Sequence, residues 1–111
     1  MEPRASRLAK NETLFRGVNE RIAEITEEFA NRELVDGLVC ECADSLCLER
    51  IGPLTIEEYE RVRADARRFI VADGHDAPEV ERVVDRKTTY WIVEKNEGVA
   101  AEVVEERDPR S

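Results

Sequence analysis

Apolar positions in the first third of the chain recur at helical spacing. Leu8, Phe15, Val18, Ile22, Ile25 and Phe29 follow intervals of 7, 3, 4, 3 and 4 residues, with Asn11 on the same line between Leu8 and Phe15. That average period predicts one long amphipathic helix over residues 5–33 with a seam of the a/d kind. Leu14 widens the stripe, and Arg7, Arg21, Glu28, Glu12, Asn19 and Glu33 take the flanking g and e positions. Gly17 inside the helix costs about 1 kcal/mol relative to alanine. At a rise of about 1.5 Å per residue the helix would be roughly 40 Å long, more than the rest of so short a chain covers. The stripe therefore packs on the protein's own sheet, or it meets a partner or a second copy; the pattern favours neither.

Leu34-Val35-Asp36-Gly37 breaks the helical period, and Leu38-Val39-Cys40 is a short apolar run of strand type. Leu48 to Ile51 alternates and is stopped by Gly52-Pro53. Thr55-Ile56-Glu57-Glu58 has the form of a capping box and predicts a helix over 56–66 that buries Ile56, Tyr59, Val62 and Ala66. Phe69 to Ala72 predicts a buried strand, ended by Asp73-Gly74, with His75 just past the turn and a helical turn starting near Pro78. Val80–Asp85 and Tyr90–Lys95 predict a hairpin around residues 86–89, its second strand covered on both faces because Tyr90 to Val93 are apolar in succession. Residues 99–106 mix helix and strand formers and are read as helix, while 105–111 form a polar tail expected to fray.

Length and charge narrow the class. The chain of 111 residues is of one-domain size, with residues 35–95 as its α+β core. A formal charge of −9 with no basic block makes direct nucleic-acid binding an unfavoured function, since phosphate contacts need clustered Lys and Arg. With no apolar signal region and no run of 18 apolar residues, the expectation is a soluble cytoplasmic protein with no membrane contact. In that reducing setting an odd number of clustered cysteines points to metal or redox chemistry rather than to disulfides.

All three cysteines lie in Cys40-Glu41-Cys42-Ala43-Asp44-Ser45-Leu46-Cys47, and the only histidine is His75. On a strand, side chains two residues apart share a face, so Cys40 and Cys42 point together and Glu41 points to the other, solvated side. A four-residue connection with Asp44-Ser45 as turn residues folds Cys47 back beside them. Three thiolates and one imidazole form a closed tetrahedral set for zinc, which predicts one zinc per chain on Cys40, Cys42, Cys47 and His75. Asp44, Asp73, Asp76 or water are alternatives for the fourth position, water making the site catalytic in form. Two other readings stay open: cysteines as small buried hydrophobes, and a redox pair of thiols. Glu57, Glu58 and Glu60 read as a solvated face near a helix N-terminus. No phosphate loop, dinucleotide fingerprint, nucleophile elbow or H-E-x-x-H motif is present.

The run from Cys40 to Cys47, with Leu54-Thr-Ile-Glu-Glu-Tyr59, Phe69-Ile-Val-Ala-Asp-Gly-His75 and the helical stretches Asn11 to Phe15 and Val18 to Ile22, resembles a group of small bacterial proteins. In these a C-E-C-x4-C stretch precedes a short capped helix and a G-H dipeptide. The resemblance covers most of the chain and implies no activity, because the group has no assigned one. Lys87-Thr88-Thr89 departs from the tighter Asp-Gly turn of that group.

The reading is an α+β protein, a long N-terminal helix packed on a short antiparallel sheet with a zinc-binding cysteine hairpin. Its expected role is a regulatory or protein-interaction module with structural zinc, the helix offering a partner or dimer surface. The alternative is a thiol redox switch or a metal-dependent enzyme using the same cysteines.

Overall fold

The structure, a computed structural model, describes residues 4–26 and 34–110. Helix α1 spans Arg4–Ile25 and is followed by strands β1 (Leu34–Val35) and β2 (Leu54–Thr55), helix α2 (Ile56–Arg63), strands β3 (Arg68–Val71), β4 (Glu81–Arg86) and β5 (Trp91–Lys95), and helix α3 (Val99–Glu106). The result is α+β, a long N-terminal helix with small antiparallel sheets. The main sheet has the order β3-β5-β4, all antiparallel, with a register shift between Val83 and Asp85. Its central strand β5 buries Ile92, Val93 and Lys95, as the unbroken apolar run predicts for a strand covered on both faces. A second, two-stranded sheet pairs Leu34 with Thr55 and Val35 with Leu54.

Helix α2 begins where its capping box places it. The Thr55 hydroxyl accepts from the Glu58 amide and the Glu58 carboxylate accepts from the Thr55 amide, each at 3.0 Å. It buries Tyr59 and Val62 but ends at Arg63, so Ala66 lies in the turn beyond it. The C-terminal segment is docked rather than frayed. Buried Asp108 accepts from Arg63 at 2.6 Å, and Arg110 reaches Glu20 and Glu60. Charge pairing holds a segment whose composition alone reads as a loose tail.

The largest departure concerns which face of α1 is buried. Its buried residues are Ser6, Ala9, Glu12, Arg16, Asn19 and Ala23, whereas Leu14, Val18 and Ile25 are exposed. From residue 9 onward the buried line is the expected seam moved by one position, about 100° around the axis. Leu8 and Ile22 pack only at the edge of the core. Phe29, and the rest of the predicted helix from 27 to 33, fall outside the described residues.

Small side chains at Ser6, Ala9 and Ala23 let the helix approach closely, and the polar ones between them find partners. Glu12 meets Lys95, which also meets Glu81, all three side chains fully buried. Arg16 donates to the carbonyls of Ala66 (2.7 Å) and Val104 (2.8 Å), tying α1 to α3, and its guanidinium lies 4.5 Å from the Phe69 ring centre. The Lys95 ammonium lies 5.2 Å from the same ring. Directional pairing thus docks α1 where apolar area was expected to. Among the described residues no helix is long and apolar enough to cross a membrane.

Candidate metal centre

The cysteine segment begins as one arm of an irregular ladder. Ile51 N–H donates to Leu38 O at 2.8 Å, Cys40 N–H donates to Glu49 O at 3.1 Å, and Val39 bridges Arg50. It then leaves that partner, because Glu41 N–H donates to Ile70 O on β3 at 2.8 Å. The expected plain hairpin is therefore a segment shared between two neighbours. Asp44 makes the turn: its carbonyl accepts from Cys47 N–H at 3.0 Å and its Oδ1 accepts from Leu46 N–H at 2.9 Å. That turn returns Cys47 toward Cys40 and Cys42. Gly74, at φ 82°, lets the chain turn sharply after β3, and His75 N–H closes on Ala72 O at 2.9 Å.

These three local structures bring one atom each of Cys40, Cys42, Cys47 and His75 within 4.8 Å of one another. His75 Nδ1 lies 3.5 Å from Cys47 Sγ and 3.7 Å from Cys40 Sγ. Three sulfurs and an imidazole nitrogen this close can hold a metal ion. All four residues named by the sequence are brought together; Asp44, Asp73 and Asp76 do not belong to the group, and Asp44 is engaged in the turn. Cys40 and Cys42 are buried and Cys47 is partly exposed, and all three are free thiols.

Backbone amides reach two of the donors. Ala72 N–H donates to Cys40 Sγ at 3.1 Å, and the Glu49 backbone bonds Cys47. Such donors favour thiolate over thiol. The hydrogen bond from Cys40 holds Cys42 down to about 5, while that same bond, with burial, pushes Cys40 up. Burial raises Cys47 as well. Sulfurs this crowded do not all ionise together without a cation to take up their charge.

Residues not anticipated from sequence hold the segment from behind. Strand alternation correctly directs Glu41 away from the sulfurs, but that side is interior, and Glu41 is buried rather than solvated. Its Oε1 accepts from Ile70 N–H at 3.0 Å and its Oε2 from Asn19 Nδ2 at 2.8 Å. Burial pushes its carboxyl up to about 7, against the pull of these donors. Asn19 also donates to Val39 O and accepts from Val39 N–H, both at 2.8 Å, and Asn11 donates to Ala43 O at 3.0 Å. Two asparagines eight residues apart on α1 thus grip the segment carrying three of the donors. The only hint in the sequence is that both sit on a helix near apolar positions.

No protein-family model matches the chain, and neither a curated protein nor a solved structure is significantly similar to it.

Proposed function

We propose that this chain is a small zinc-binding interaction module of the cytoplasm, its zinc structural and bound by Cys40, Cys42, Cys47 and His75. The observation that carries the reading is the spacing of the donors. Tetrahedral zinc, with bonds of about 2.3 Å to sulfur and about 2.0–2.1 Å to nitrogen, requires sulfur–nitrogen edges of about 3.6 Å. Two of the three such edges here, from His75 to Cys47 and to Cys40, are 3.5 and 3.7 Å and bracket that value. Three thiolates and an imidazole fill the shell and leave no open position for water or substrate, the form of a structural rather than a catalytic site. Three free thiols so close together suit a reducing compartment.

The test is metal content of protein purified without chelator, with Cys42→Ser and His75→Ala beside the wild type. One zinc per chain is expected, lost in Cys42→Ser together with thermal stability, because structural zinc contributes its binding energy to folding. His75→Ala should bind zinc far more weakly. Metal-free wild type that keeps full stability in chelator overturns the reading. The low-lying thiol of Cys42 and the partly exposed Cys47 would then favour the thiol redox switch.

A further inference from the structure

A cleft of about 510 Å³ opens on the metal centre from one side. Two of the four donors line it, Cys42 and His75, while Cys40 and Cys47 do not. Cys42 is buried and stands at the deep end; Arg4, Asp44, Pro78 and Glu79 are exposed and form the mouth. The Cys40 sulfur is engaged by the Ala72 amide instead. The donor set is therefore closed in coordination but not walled off, and its Cys42–His75 edge faces open space.

Room and charge indicate what this space receives. The inner shell of a hydrated divalent ion, about six waters at about 30 Å³ each, fills about 180 Å³. The cleft thus admits an ion that has not yet shed its water. At the mouth the Arg4 guanidinium donates to both oxygens of the Glu79 carboxylate at 3.0 Å, and the two charges cancel. Asp44 and Asp76 remain and make the cleft negative. Neither belongs to the donor group, so they attract a cation without competing to ligate it. A cleft lined by one sign of charge concentrates ions of the other. At the deep end, the Cys42 thiolate keeps lone pairs beyond the one a bound metal uses. It can hold an outgoing and an incoming ion together, which a single imidazole nitrogen cannot.

We propose that this cleft is a docking site for a hydrated divalent cation and the route by which zinc exchanges, through the Cys42–His75 edge. The proposal rests on the reading of the four donors as a zinc site and adds its route of access. The rival approach is at Cys47, the one cysteine not buried, between Leu46 and Leu48, which are 84% and 91% exposed.

The experiment follows zinc exchange on the folded, zinc-loaded full chain. One isotope is held by the protein and another is supplied in solution, and the intact protein is read by mass spectrometry. Zinc content and affinity are measured on each variant. Wild-type exchange should quicken with external zinc. Asp76→Asn should exchange about fivefold more slowly at low salt, the effect of one charge on a divalent ion a few water diameters away. That difference should shrink between about 10 mM and about 500 mM salt as the charge is screened. Arg4→Ala frees Glu79 and should exchange faster, with the fold intact because an exposed pair contributes little. Pro78→Trp narrows the mouth and should slow exchange at high salt as well as low, at unchanged affinity. Leu48→Asp, beside Cys47, should exchange as wild type does. Exchange independent of external zinc, or Asp76→Asn and Pro78→Trp both exchanging like wild type, overturns the proposal and leaves the metal reading standing. So does a Leu48→Asp variant that exchanges faster. A protein that holds no zinc overturns the metal reading, and the proposal with it.

Discussion

Replacing Lys95 with methionine tests the polar interior most directly. The Lys95 ammonium is fully buried between the carboxyl groups of Glu12 and Glu81, and Glu81 also accepts from the Ala77 amide at 2.8 Å. Methionine nearly conserves the volume, so the packing change is small. What remains is a pair of buried carboxyl groups without their cation, and breaking a buried ion pair in this way costs about 3–5 kcal/mol. At an unfolding entropy of about 2.1 cal/mol/K per residue, 111 residues give about 230 cal/mol/K, so each kcal/mol lowers the melting temperature by about 4 °C. Lys95→Met should therefore melt about 13–20 °C below wild type by calorimetry, at equal zinc loading. Glu12→Gln added to Lys95→Met removes one of the stranded carboxyls and should recover part of the loss. A single variant within about 1 kcal/mol of wild type would refute the reasoning, since that is the size of a solvent-screened surface pair.

Two further outcomes follow from the same interior. Burial, with proton sharing with Glu81, raises the Glu12 carboxyl well above the ordinary range despite the pull of Lys95. The folded state then keeps a proton that the unfolded chain releases. That stabilisation is present at acid pH and is lost as pH rises from the ordinary carboxylate range through the raised value. The stability difference between wild type and Glu12→Gln, read from urea midpoints between pH 4 and 9, should slope accordingly; parallel curves would contradict it. Asn19→Ala strips partners from the Val39 amide and carbonyl and from Glu41; with each stranded group at the lower end of about 1–3 kcal/mol, because the Val39 groups are only partly buried, the cost should be about 3 kcal/mol. Because it also loosens the segment carrying the thiols, zinc affinity in a chelator competition should fall about 10–100-fold, whereas Leu14→Ser on the outward face should leave affinity unchanged.

Local structure is legible in the order of the amino acids. The capping box at Thr55, the strands around Phe69 and Trp91, and the turn chemistry at Asp44 and Gly74 follow from neighbours a few residues apart. Tertiary contacts confirm them without altering them. The four donor residues were legible for the same reason: their residue types are rare in this chain, and strand alternation with one turn suffices to gather the three sulfurs. The facing of α1 and the environment of Glu41 depend instead on contacts between distant segments. Apolar periodicity predicts the buried side only where burial is driven by apolar area. Here Glu12, Arg16 and Asn19 are drawn inward by Lys95, by the carbonyls of Ala66 and Val104, and by the cysteine segment, and each partner lies at least 20 residues away in the chain. A hydrophobicity pattern carries no record of such pairings. The helix is therefore foretold by its sequence, but its rotation is set by charges and carbonyls that only the folded chain brings opposite it.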